Sequence, residues 1–333
     1  MKFLNYGTVG QVAEGFGTMT AEQEFFQPVA PGASFEALET QYFGFNIPEH
    51  DLNGEIYIWH HPVLKSTSGG FTCWRGHKKR QISADYQDYR WFMPMPESSA
   101  DYTLPNGVSI RFIEPLKSVE IGFADKERDT FLELRMDAIM PPAVRKNGGH
   151  FTQAMRTTGK LRLLGEDMAI DGFYTRDHSW GEFRTEAPLA IPPLTWIAGT
   201  FDETFAFHLA AFDSAELHPE WEGLYEGPGE GENMRWGYVW KDGRLRNIMR
   251  CRKLTHRMDD NVLVRGIDLQ FEDSEGEVYD IKGTCTASYP WMSWSNMHCA
   301  YGLAKWEYEG RTGWGEIQDC IWNEHMKWIE AQD

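Results

Sequence analysis

The densest set of groups able to do chemistry in this chain runs from Asp171 to Gly181. It brings together a guanidinium (Arg176), a carboxyl (Asp177), an imidazole (His178), the hydroxyls of Tyr174 and Ser179, and the indole of Trp180. An aspartate packed among rings loses hydration, which raises its pKa, and a neutral carboxyl can pass its proton to an alkene or to a departing hydroxyl. In the other reading, Asp177 pairs with Arg176 or a turn amide and Trp180 fills the core; on the residues alone both stand. Regular pleating puts Arg176, His178 and Trp180 on one face and Thr175, Asp177 and Ser179 on the other. Asp177 and His178 then reach one cavity only across a bulge or a strand end.

Two smaller sets accompany this one. His150 and Gln153 are three apart, hence on opposite strand faces, and read first as hydrogen-bonded groups at a strand entrance. In Trp59-His60-His61 the adjacent imidazoles point to opposite sides and form no chelate. The chain has no His-x-His, no Gly-x-Ser-x-Gly, no phosphate-cradling loop and no dinucleotide fingerprint, so no metal and no cofactor is expected. What remains is a site of rings, one or two acids and a few histidines.

Such residues need strands to hold them, and the sequence predicts many. Lys160 to Leu164 with Met168 to Phe173, Trp196 to Phe201 with Thr204 to Phe212, and Trp236 to Trp240 with Arg244 to Cys251 read as hairpins. So do Val264 to Phe271 with Val278 to Thr286, and Leu303 to Tyr308 with Gly313 to Ile317. Period-two alternation between Gly- and Asp-bearing turns marks an antiparallel sandwich or barrel, and no strand leads through a Gly-rich turn into a helix. Helical signals are confined to Ala21 to Phe26, Ser34 to Thr40 and Ile317 to Ile329. Prolines 188, 192 and 193 interrupt the strands, giving two β-domains, 1–186 and 187–333. Gly223 to Glu232 reads as an acidic loop. Six tryptophans between Trp291 and Trp328 read mostly as core.

Composition bounds the partners. Lys and Arg total 32 against 50 Asp and Glu, a net charge of −18 that disfavours nucleic acid and anionic membrane surfaces. With 20 Phe, 14 Trp and 13 Tyr, the chain is far too aromatic to be disordered. Five widely spaced cysteines indicate no disulfide framework, and the first ten residues do not read as a signal peptide, so a reducing cytoplasm is expected.

The stretch Gly172 to Gly181, preceded by His150 to Gln153, resembles the Asp-His-x-Trp-Gly signature of the carotenoid 1,2-hydratase (hydroxyneurosporene synthase) superfamily. AttH-like proteins, kievitone hydratase-like enzymes and lipocalin-type Diels–Alderases are relatives in that group. Tyr42 to Glu49 and Tyr57 to Pro62 are similar to the opening strands of a bacterial branch. The resemblance implies an all-β chain of two lipocalin-like, calycin-type domains packed side by side, with an apolar ligand in a barrel or between domains. It also implies an acid that protonates a double bond, and Asp177 matches that position, with His178 and Trp180 matching the other members. The expected activity is a cofactor-independent hydratase or dehydratase acting on an isoprenoid-like, polyketide-like or aromatic substrate. Asp177 would be the general acid and His178 would orient it or handle water, while Tyr174 and Trp180 shield the site. His150, Gln153, Trp59 and His61 complete the candidate substrate contacts. The alternatives are an isomerase or pericyclase, or a carrier of a small hydrophobic molecule.

Overall fold

The computed structural model describes residues 15–146, 148–183, 191–221, 223–224, 233–258 and 263–331. Strands dominate because alternation dominates. In Thr130–Ala138, Leu132, Leu134 and Met136 are buried while Glu133 and Arg135 between them are exposed, as expected for a sheet with one face on a core. Several hairpins close through two-residue turns with both residues at positive φ. Leu164-Gly165, Asp242-Gly243 and Glu309-Gly310 have φ of 49° and 90°, 49° and 77°, and 48° and 76°. That geometry follows the right-handed twist of the strands it joins.

The first sheet contains β1 (Ala37–Ile47), β2 (Leu52–His61), β3 (Ser66–Arg75), β4 (Tyr86–Pro94), β5 (Asp101–Thr103) and β6 (Ser109–Glu114). It continues with β7 (Ser118–Asp125), β8 (Thr130–Ala138), β9 (Ala143–Val144), β10 (His150–Leu163) and β11 (Glu166–Phe183). Its order is β4-β3-β2-β1-β11-β10-β8-β7-β6-β5, with β9 beside β10. The sheet curls until its two halves meet. Phe71 of β3 and Tyr86 of β4 lie 5.0 and 5.5 Å from Phe123 of β7, ring centre to ring centre. Phe43, Ile58, Ile110, Leu134 and Met155 belong to one buried apolar cluster on its inner face.

The second sheet is a closed antiparallel barrel of eight strands. They are β12 (Leu194–Asp202), β13 (Phe205–Phe212), β14 (Met234–Lys241), β15 (Arg244–Arg257), β16 (Val264–Asp273), β17 (Val278–Trp294), β18 (Met297–Tyr308) and β19 (Arg311–Trp322). A short helix, α1 (Asn323–Glu330), follows. Trp306 is fully buried here, and its indole N–H donates to the Ala198 carbonyl at 2.9 Å. Asp213 lies against Lys253 and Arg257, and Arg257 also binds Asp319, so the buried charges balance.

The all-β, two-sheet architecture is the one expected, and all five hairpins form. Two local readings change. Ser34 to Thr40 is not helical, because β1 begins at Ala37 and takes that segment into the sheet. Ile317 to Trp322 is strand, and the helix begins only at Asn323. Of the six tryptophans between Trp291 and Trp328, Trp291 and Trp306 are buried and the other four are half-buried. Among the described residues, those within 16–74 and 84–183 group together by proximity, and those within 75–83 group with those from 191 onward. Most of the proline segment and of the acidic loop lies outside the described residues. Among the described residues, no helix is long and apolar enough to cross a membrane, and the five cysteines are buried free thiols.

Candidate functional site

The segment Tyr174–Trp180 lies on β11, paired on one side with β10 and on the other with β1. Pairing with β10 runs without a shift from His150↔Ser179 to Leu163↔Glu166. Along β1 the register breaks between Leu38 and Thr40, opposite Glu182 and Ser179, so a bulge falls at Trp180 and Gly181, the end of the motif. The alternation therefore holds from Arg176 to Ser179. Arg176 and His178 point to the face that carries Phe43 and Met155, the inside of the curled sheet. Asp177 stands on the other face, in register with Tyr42 and Thr152 and half-buried. The two residues expected to act together are thus separated by the sheet itself, for the reason the pleat gave.

Inside, a polar cluster interrupts the apolar lining. His178 Nε2 lies 2.9 Å from Oε1 of Glu39, and the two side chains are 2% and 4% exposed. The second oxygen of Glu39 accepts the Gln27 amide N–H at 3.1 Å. Two rings flank the imidazole, Phe151 edge-on at 5.9 Å and Trp180 tilted at 5.1 Å. His178 Nδ1 is buried without a hydrogen-bond partner among the described residues. With Glu39 accepting from Nε2–H, the neutral imidazole carries its lone pair on Nδ1, the nitrogen turned away from the carboxylate.

Two residues along, Arg176 donates from Nη1 and Nη2 to both oxygens of Glu24, at 2.7 and 2.9 Å. Its Nε and Nη2 also donate to Gln153 Oε1 at 3.0 and 2.8 Å. Glu24 is buried, which raises its pKa, but the guanidinium beside it outweighs burial and holds the carboxyl below its ordinary range. Further along the same face, Tyr102 donates to Gln41 Oε1 at 2.6 Å, and His60 lies between Gln41 and Thr67. Burial, followed by the charges of His178 and His61, pushes the His60 pKa down to about 3.

The other residues named from the sequence sit elsewhere. Gln153 spends its amide on the carbonyls of Leu116 and Met140 and its oxygen on Arg176, so it braces the cluster and keeps no donor for a ligand. His150 binds Ser179 at 2.7 Å and Thr152 at 3.1 Å on the far face. Tyr174 donates to Asn53 at 2.9 Å, its ring against Gly44. Trp59 is buried beside Tyr57 and Trp91. His61 is half-buried, which lowers its pKa, and alternation sets it on the side away from His60. Of the eight candidates, the structure gathers His178, Trp180 and the bracing Gln153. It adds Glu39 and Glu24, which the sequence reading missed. For Glu39 the one local signal was a carboxylate inside an otherwise strand-forming run, Ala37-Leu38-Glu39-Thr40; Glu24, after Glu22 and Gln23, carries none.

A groove of about 700 Å³ on the outside of β6, β7 and β8 contains none of these residues, and its cations are paired, Arg111 with Glu120 and Arg135 with Asp137. Among the described residues, no three His, Cys, Asp or Glu side chains are grouped to hold a metal ion.

Residues 20–325 match a family described as "Domain of unknown function (DUF7064)". No curated protein matches the chain. Among solved structures, kievitone hydratase from Nectria haematococca is similar, at 12% identity and a TM-score of 0.53, with 96% of this chain and 99% of that one covered. A putative AttH protein from Nitrosomonas europaea is similar at 12% identity and a TM-score of 0.51, covering 89% and 99%. At these identities the likeness is one of fold alone, a two-domain lipocalin-like fold.

Proposed function

The chain belongs to the DUF7064 family, and for this member we propose the addition or removal of water at a carbon–carbon double bond of an apolar substrate, with His178 carrying the proton. The observation that supports this reading is the buried His178–Glu39 pair, whose second ring nitrogen is unbonded and flanked by Phe151 and Trp180. The fold shared with kievitone hydratase agrees with it.

In the hydration direction, protonated His178 gives its Nδ1 proton to one alkene carbon. Positive charge develops on the other carbon, where aromatic π faces stabilise it. Water adds there and returns its surplus proton to Nδ1, which leaves the imidazolium restored and no net proton consumed. Glu39 holds the ring in the required tautomer and stabilises its charged form, the work a buried carboxylate does for a catalytic histidine. Dehydration is the same path reversed.

The test is turnover of apolar alkenes and tertiary alcohols in heavy water. One solvent deuteron on carbon per product, with turnover falling roughly 10²–10⁴-fold in His178→Gln, is the expected result. Product formed without deuterium on carbon would reject proton transfer and point to the isomerase or pericyclase reading.

A further inference from the structure

Residues 15–36 precede β1, and Glu24, in the 3-10 turn Ala21–Glu24, is the one fully buried residue among them. The segment is fastened across the curled sheet at a few points. Gly17 N–H donates to the Val144 carbonyl at 3.0 Å, Phe26 N–H to Ser99 Oγ at 2.8 Å, and Gln27 N–H to Glu39. The Phe26 ring meets His60 at 4.6 Å, and Phe25 meets Phe112 at 5.9 Å. Glu24 itself accepts from the Leu116 N–H at 2.7 Å and takes the bidentate fork of Arg176. A segment with one buried side chain and few backbone bonds to the sheet belongs to the part of a fold that opens locally at low cost.

The two ends of this ion pair are unequal. Arg176 is built into β11, braced by Gln153 and set between the rings of Phe151 at 5.0 Å and Phe112 at 5.9 Å. Its brace survives if Glu24 leaves. A guanidinium left without an anion in such surroundings is strongly disfavoured, so whatever displaces Glu24 must supply a replacement negative charge. The fork matches a carboxylate in two places at once.

We propose that Arg176 is the seat for the carboxylate of an apolar acid, and that Glu24, on the strap formed by residues 16–27, occupies that seat until the ligand takes it. The substrate class narrows to amphipathic acids with an apolar body on the inner face, an inference that rests on reading that face as the functional site. Exchange of one carboxylate for another keeps the buried cation neutralised throughout, while a neutral ligand of equal size has nothing to offer Arg176. The strap then detaches as the acid binds, and its Gln27 amide leaves Glu39.

The experiment compares cis-parinaric acid with its methyl ester by fluorescence titration of the full chain, together with hydrogen exchange over residues 16–27. The acid should bind at least about tenfold tighter than the ester, and only the acid should speed exchange in the strap. Glu24→Gln, which removes the competing charge, should tighten the acid several-fold and leave the ester unchanged. Equal binding of acid and ester, or an equal gain for both in Glu24→Gln, would overturn the proposal. So would strap exchange unaffected by the acid, a measurement that needs no variant. His178→Gln separates this from the proton-transfer reading. Turnover lost there while acid and ester bind alike removes the seat alone; turnover retained with acid selectivity intact removes the proton carrier alone.

Discussion

His178 and Asp177 are adjacent in the chain, yet the sheet lies between their side chains. Glu39, 139 residues from His178, is its hydrogen-bond partner. At this scale the expected variants diverge. Glu39→Gln keeps a hydrogen-bond acceptor for the imidazole and removes the charge that stabilises the imidazolium, so turnover should fall by about 10²-fold at unchanged fold. Asp177→Asn, on the opposite face, should stay within a few-fold of the parent. A loss at Asp177 equal to that at Glu39, measured as kcat on any turned-over alkene, would return the general acid to the residue first chosen from the motif. That choice was reasonable on the residues, since Asp177 heads the matching signature. The alternation of Arg176, Asp177 and His178 was legible there too. The identity of the histidine's partner was not, because nothing local marks which of many carboxylates will be brought against it.

At the scale of elements, strands and hairpins follow from short-range rules. Period-two burial and turns such as Asp242-Gly243 suffice to predict them, and they form where predicted. Segments whose conformation depends on a distant neighbour fare worse, as at Ser34 to Thr40, where pairing of β1 with β2 and β11 decides for strand. Close packing between strands brings further constraints. A Cβ on Gly283 would lie 2.3 Å from the Trp306 ring, so the indole occupies the space that glycine leaves. Gly283→Ala should therefore cost roughly 1–3 kcal/mol by overpacking, read as a lower thermal midpoint and altered tryptophan fluorescence. An unchanged midpoint would mean that Trp306 has room to move.

Over the whole molecule, buried titratable groups set how stability depends on pH. His60 and His325 are held neutral, the first by burial and then by nearby charge, at about 3, and the second by burial and then by Arg257, at about 4. Both lie below the unfolded value of about 6.5. As pH falls below that value the unfolded chain takes up protons the folded one refuses, so stability declines, by up to about 1.4 kcal/mol per pH unit for His60. Glu24 and Asp213 act lower down. Each is buried, but Arg176 in one case and Arg257 with Lys253 in the other depress the carboxyl, so their contribution is present above about pH 4 and is lost below it. Urea midpoints should be flat from pH 8 to 7, decline from 6 to 4, and fall more steeply beneath that. His60→Gln should flatten the middle portion; a midpoint rising between pH 7 and 5 would contradict the burial of both histidines.

The sequence by itself determined the all-β class, the hairpins and the face on which each residue of Arg176–Ser179 lies, because twist, pleat and turn chemistry act over a few residues. Only the tertiary structure decided that Glu39 meets His178, that Glu24 meets Arg176 across 152 residues, and that Gln153 is a brace. Charge pairing depends on distance in space and on exclusion of water, and both arise when the sheet curls and covers its inner face.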